Sequence, residues 1–182
     1  ILYKVNIQKV IGITEVIFHN IEFDSRKVSL NDVFVAINGA DVDGHQFIND
    51  AVNQGALVII CENLPDKRVN GVNYIQVDNA RLALAQIADN YYDQPSKNLK
   101  LVGVTGTNGK TTVCTLLHQL FTDAGYDAGL ISTVTVKIGK KEIATSLTTP
   151  DSLTINKYLA KMMEAEVNYV FMEVSYHGID QG

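Results

Sequence analysis

The run Gly106-Thr107-Asn108-Gly109-Lys110-Thr111-Thr112 is where this 182-residue chain comes closest to dictating a chemistry. It follows the apolar segment Leu99 to Thr105. It precedes a stretch in which Val113, Leu116, Leu117, Leu120 and Phe121 recur at helical spacing and Gly125 marks a stop. Glycines let backbone N–H groups turn toward an anion without a Cβ in the way. A helix start adds partial positive charge and unpaired donors. Lys110 supplies a mobile cation for β- and γ-phosphates, and Thr111 a hydroxyl for Mg²⁺. The run departs from the general phosphate-loop pattern, because the position that calls for its first glycine holds Val104 and Gly103 comes one residue early. The plainer alternative is a glycine turn with a solvated lysine. A strand before and a helix after favour nucleotide-phosphate binding.

The rest of the chain reads as elements able to hold such a loop. Val33 to Ile37 and Ala56 to Cys61 are short apolar runs typical of buried strands. Between them Phe47, Ile48, Ala51 and Val52 fall at helical spacing, with His45 expected to cap that helix and Gly55 to stop it. Tyr74 to Val77 is a further strand. Asn79 caps a helix whose apolar face is read as Leu82, Ala85, Ala88 and Tyr91. Asp93 to Lys100, with Pro95 inside it, is the best linker, so domains are expected over 1–95 and 96–182. After the glycine run come a strand at Gly129 to Thr133 and a hairpin arm through Val134, Val136, Ile138 and Ile143. A helix from Pro150-Asp151-Ser152, carrying Leu153, Leu159, Met162 and Met163, precedes a strand at Tyr169 to Val174. Strands joined through helices imply an α/β fold with a mostly parallel, doubly wound sheet. Ligands belong at the C-terminal ends of its strands.

Composition sets outer bounds. Lys plus Arg is 15 against Asp plus Glu 20, a net charge of -5, which argues against a broadly cationic nucleic-acid binder. Cys61 and Cys114 stand far apart outside any CxxC pair, which fits a reducing compartment better than a disulfide or zinc scaffold. No apolar run reaches the roughly 20 residues that span a bilayer, so no membrane insertion is expected. No charged-then-apolar run opens the sequence, so a secretory leader is not expected, an expectation weakened by the start at Ile1 rather than Met.

Four segments in order carry a family resemblance. Thr105-Gly106-Thr107-Asn108-Gly109-Lys110-Thr111-Thr112 resembles the ATP-binding signature of the Mur ligases. Asp24-Ser25-Arg26, then Asp32-Val33-Phe34-Val35-Ala36 and Asp43-Gly44-His45, resemble their small N-terminal domain, which holds the UDP end of the substrate. Thr148-Thr149-Pro150-Asp151 resembles a substrate-contacting loop of the central domain. Met172-Glu173-Val174-Ser175-Tyr176-His177-Gly178-Ile179-Asp180-Gln181 resembles the Glu-Val-Ser-Ser-His segment of the branch that adds the third stem-peptide residue, with Tyr176 in place of the second serine. Ala40-Asp41 stand where some relatives carry His-Gln near the uridine.

The resemblance implies a cytoplasmic, monomeric ATP-dependent ligase using ATP and Mg²⁺. It would join diaminopimelate or lysine to UDP-MurNAc-L-Ala-D-Glu through an acyl phosphate, in peptidoglycan precursor synthesis. This chain would be its N-terminal and incomplete central part, inactive by itself. Lys110 and Glu173 would be catalytic, and Thr111 and Glu173 would hold the metal. Ser25, Thr148, Thr149, Ser175 and Gln181 would bind substrate. Plainer readings stand beside these: Glu173 as a carboxylate facing water, Thr148 and Thr149 as helix caps, Ser25 as a turn residue, and His177 as structural. Another Mur-type ligase, a P-loop kinase or NTPase, and a non-catalytic nucleotide-binding module are the alternatives.

Overall fold

The computed structural model describes residues 1–39, 42–144 and 150–175. The chain divides into two compact units, Leu2–Ile87 and a second beginning at Ala88. The first contains strands β1 (Ile7–Ile11), β2 (Ile21–Glu22), β3 (Val33–Ala36), β4 (Val58–Cys61) and β5 (Asn73–Val77), with helix α1 (Ile48–Asn53) and the start of helix α2 (Ala80–Tyr91). The sheet order is β1-β5-β4-β3-β2. Strands β2 to β5 run parallel, and β1 adds antiparallel at the edge.

Both faces of the central strands are buried, which is why β3 and β4 read as unbroken apolar runs rather than alternations. Phe34, Ala36, Ile59, Cys61 and Tyr74 share one core with Ile48 and Ala51 of α1. Val33, Val35, Ile60 and Ile75 are buried on the opposite face. Asp32 is also buried, and its carboxylate accepts from the amides of Asn20 and Ser29, so it ties β2 to β3 rather than serving chemistry. Asn79 caps α2, accepting from Leu82 N at 2.8 Å. The buried face of α2 is Ala80, Ala83, Leu84, Ile87 and Ala88, one step round from the expected stripe, and Leu82 is exposed.

The second unit contains β6 (Lys100–Val104), α3 (Lys110–Asp123), β7 (Ala128–Ile131), β8 (Thr135–Ile138), β9 (Lys141–Ala144), α4 (Ser152–Glu164) and β10 (Tyr169–Glu173). Its order is β6-β10-β7-β8-β9. The first three are parallel, and β8 and β9 form the expected hairpin arm. Helix α4 packs on one face through Leu159 and Met162, against Ile131, Val136 and Val170. Helix α3 packs on the other through Cys114, Leu117 and Phe121, against Leu130 and Phe171. The sheet is therefore covered on both sides, as a doubly wound fold requires.

Helix α3 corrects the expected stripe. Val113, Leu116 and Leu120 are exposed, while Cys114 and His118 are its fully buried positions. The apolar stripe of this helix is wider than the face that meets the sheet, and the buried side lies at its Cys114 edge, so spacing alone could not tell which part is covered. Its stop is as expected: Gly125 takes φ +86 and the Tyr126 amide reaches back to Phe121 O at 3.0 Å. Asp151 caps α4, with its carboxylate accepting from Thr154 N and Thr154 Oγ1. No helix among the described residues is long and apolar enough to cross a membrane.

Gly55 follows α1 at φ +104, and a Cβ there would lie 2.9 Å from Leu30 Cα. Left-handed strain and a backbone clash act together, so Gly55→Ala is expected to cost about 2 kcal/mol of stability. Urea unfolding checks this, and a change within error of wild type contradicts it.

Candidate active site

Strand β6 delivers Thr105 to Gly109 to the start of α3 at the C-terminal edge of the sheet. Gly106 takes φ +143 and Gly109 φ +80. An added Cβ at Gly109 would meet no atom within 4 Å, and at Gly106 only Asn108 O at 3.9 Å. The glycines therefore serve the turn of the backbone and leave the loop open rather than easing an internal packing contact. Thr107, Asn108 and Thr112 are exposed, and Thr111 is half-buried on the first turn of α3. Lys110 Nζ donates to Gly106 O at 2.7 Å, so its ammonium already leans over the loop.

Glu173 reaches this place through the register of β10. That strand lies between β6 and β7, and Glu173 pairs with Val104, the last residue of β6. Side chains alternate along a strand. Phe171 packs toward α3, so Glu173 faces the same side, whereas Val170 belongs to the α4 side. Glu173 is only 8% exposed, and its Oε1 is buried with no hydrogen-bond partner among the described residues. Cys114, one turn after Lys110, records the proximity. Burial raises its thiol to about 11, and the Glu173 carboxylate pushes in the same direction. A buried carboxylate oxygen without a donor is costly unless something binds it. An acidic oxygen near the end of the strand that enters a glycine loop has the chemistry to suit a hard divalent cation such as Mg²⁺. No group of three or more His, Cys, Asp or Glu among the described residues could hold a metal by itself, so phosphate and water would have to complete such a site.

Ser25 belongs to the first unit. It lies on a short 3-10 turn, Ser25–Lys27, capped by Asp24. The Arg26 guanidinium donates to both Asp24 oxygens at 2.8 Å, and this pairing holds the Asp24 carboxyl below its ordinary value. Beside the turn is an open pocket of about 780 Å³, lined by Phe23, Ser25, Ile37, Val42, Gly44 and Phe47 among others. Two aromatic rings, with Asp50, Asn53 and Gln54 beside the Asp24–Arg26 pair and Ser25, give the pocket apolar faces and hydrogen-bonding groups suited to a planar ring with polar edges. Sequence reading found Ser25 but missed Phe23, Val42 and Phe47, whose shared wall exists only once β2, β3 and α1 are assembled.

Ser175 follows β10 by two residues and is half-buried. Thr148, Thr149, Gln181, Tyr176, His177, Ala40 and Asp41 lie outside the described residues. Asp151 performs the capping that Thr148 and Thr149 were weighed for. His45 does not cap α1, which starts from Phe47 without a side-chain cap. Instead its ring lies between Asp43 and the backbone after β4.

The comparisons with known proteins follow the same division. Residues 17–92 match the Mur ligase family catalytic domain and residues 104–182 the Mur ligase middle domain. The chain is 47% identical over its whole length to a UDP-N-acetylmuramoyl-L-alanyl-D-glutamate--2,6-diaminopimelate ligase of Cytophaga hutchinsonii, and 45% to the ligase of the same name of Bacteroides fragilis. It spans 37% of the length of each of these relatives. A solved structure of a ligase of that name superposes with TM-score 0.77 at 27% identity, covering 91% of this chain and 33% of the other. The MurF ligase of Thermotoga maritima in complex with ADP shares the fold at TM-score 0.55 and 24% identity, over 90% of this chain and 33% of the other. Two successive Mur ligase domain matches, with similarity to these ligases along the whole of this chain, lead to one conclusion: the chain belongs to the Mur ligase family.

Proposed function

We propose that residues 1–95 form the UDP-substrate domain and residues 96–182 the first part of the ATP-binding domain of a cytoplasmic, monomeric ligase. That enzyme joins an amino acid to UDP-MurNAc-L-Ala-D-Glu during peptidoglycan precursor synthesis. The names of the relatives favour diaminopimelate as that amino acid over lysine. The observation that carries the reading is the unpartnered, buried Glu173 oxygen in register with the strand that enters the glycine loop.

In the reaction a carboxylate of the substrate attacks the γ-phosphorus of ATP. The bond to the bridging oxygen breaks, ADP leaves, and an acyl phosphate forms. The amine of the incoming amino acid then attacks the acyl carbon, expels inorganic phosphate and loses a proton. The first step brings one anion onto another, so positioning and charge neutralisation supply most of the rate. Loop amides from Gly106 to Thr111 bind phosphate oxygens. Lys110 Nζ exchanges its bond to Gly106 O for the β- and γ-oxygens, a short swing because it already crosses the loop. Glu173 and the Thr111 hydroxyl would hold Mg²⁺, which neutralises charge on the phosphates when bound. Ser25 and its pocket take the uridine end of the substrate. Thr148, Thr149, Ser175 and Gln181 contact the muramoyl-peptide end.

Two substitutions test this. Lys110→Ala is expected to weaken MgATP binding by this chain at least tenfold, since charge-assisted hydrogen bonds contribute about 1.5–3 kcal/mol. Calorimetric titration measures it, and wild-type affinity removes Lys110 from the phosphate site. Glu173→Gln is expected to raise the Mg²⁺ concentration needed for half-maximal ATP binding about tenfold, with little effect on metal-free nucleotide. Superimposable Mg²⁺ titrations take Glu173 out of the metal site.

A further inference from the structure

His45 has a hydrogen-bond pattern that selects its tautomer and couples the pocket to the framework behind it. Its side chain is 13% exposed. Nε2 lies 3.0 Å from the Glu62 amide nitrogen and 3.3 Å from that of Asn63. Amide N–H groups only donate, so Nε2 must present its lone pair. Nδ1 therefore carries the hydrogen and donates to Asp43 Oδ1 at 2.6 Å. The same oxygen accepts from the His45 amide at 3.0 Å.

What this ring joins is specific. On one side is the pocket wall, where Gly44 N donates to Ile37 O at 2.9 Å and Gly39 N to Val42 O at 3.0 Å. Ile37, Gly39, Val42 and Gly44 all line the pocket. The wall is tight, because a Cβ on Gly44 would fall 2.6 Å from Ile37 O. On the other side Glu62 is anchored twice. Its carboxylate accepts from Ala80 N at the start of α2, and its carbonyl accepts from Gln76 Nε2, both at 2.9 Å. Arg81 of α2 donates to Asn38 O at 2.6 Å and holds the opposite end of the wall.

We propose that His45, in its Nδ1–H tautomer, is a positioning residue that rivets the Val42–Gly44 wall to the chain after β4 and thereby sets the pocket's affinity for a uridine nucleotide. The affinity part rests on the uridine reading of the pocket given above. The rivet itself does not. Substitutions separate hydrogen bonding from packing. In Gln the side-chain oxygen reaches about where Nε2 sits and can accept from Glu62 N. Asn reproduces only the nearer contact with Asp43, and Leu keeps bulk alone.

The experiment uses the whole 182-residue chain with UDP as the probe. Long-range ¹H–¹⁵N spectra at neutral pH are expected to show the Nδ1–H tautomer for His45. Calorimetry is expected to give UDP binding within about threefold of wild type for His45→Gln and about tenfold weaker for His45→Asn and His45→Leu, with ATP binding unchanged. Amide exchange at Val42 and Gly44 should quicken in the Asn and Leu variants but not in Gln. An Nε2–H tautomer, or wild-type UDP affinity and exchange in His45→Leu, overturns the proposal. If His45→Leu does not fold, Gln against Asn makes the same comparison. A wild-type chain that ignores UDP overturns the uridine reading and the affinity part with it, while tautomer and exchange still decide the rivet.

Discussion

The register of one strand governs the second unit. Strand β10 threads between β6 and β7 and sets Glu173 level with Val104, where the chain leaves the sheet for the glycine loop. A slip by one residue would turn Glu173 to the α4 side and send Met172 toward α3. Packing prevents it. Phe171 and Tyr169 form an aromatic cluster with Phe121 and Tyr126 at the far end of α3, with ring centroids 4.8 to 5.6 Å apart. Lys100 Nζ sits over the Tyr169 ring and donates to its hydroxyl. Apolar contacts at one end of strand and helix thus set a carboxylate level with the end of β6 at the other.

The net charge is -5, yet both proposed ligands are anions. Attraction by the overall field cannot account for binding, so local donors must. In the second unit these are the loop amides, the first turn of α3 and one lysine. In the first unit the pocket sets two phenylalanines beside the carboxylates of Asp24 and Asp50 and the side-chain amides of Asn53 and Gln54, and Arg26 is already committed to Asp24. That arrangement suits recognition of a base or sugar better than a bare phosphate.

Much of this was legible in the residues, for physical reasons. Strands β3 and β4 are buried on both faces and announce themselves as apolar runs. The glycine loop is legible because backbone turned toward an anion restricts residue type severely. Asn79, Gly55, Gly125 and Asp151 mark helix ends by local chemistry. Strand β1, Ile7–Ile11, was not legible, since its Gln8, Lys9 and Val10 are exposed and its identity comes from pairing with β5. Strand β2 has only two residues. The buried faces of α2 and α3 were misread because each carries apolar residues on more than one side, and the sheet decides which are covered. His118 gave no signal at all, although it is buried and its Nε2 has no partner among the described residues. For the candidate site, sequence supplied Lys110, Thr111 and Glu173 separately. The orphaned oxygen and the closeness to Cys114 follow from strand order, which no local pattern encodes.

A crystal structure of this chain with ADP and Mn²⁺, a stand-in for Mg²⁺ visible by anomalous scattering, decides whether the glycine loop and Glu173 form one site. Diphosphate density is expected against the amides of residues 106–111, with one manganese peak between it and Glu173. Direct ligation would put the peak about 2 Å from the carboxylate, and a bridging water about 4 Å. Ordered nucleotide elsewhere, or a manganese peak remote from Glu173, would contradict it.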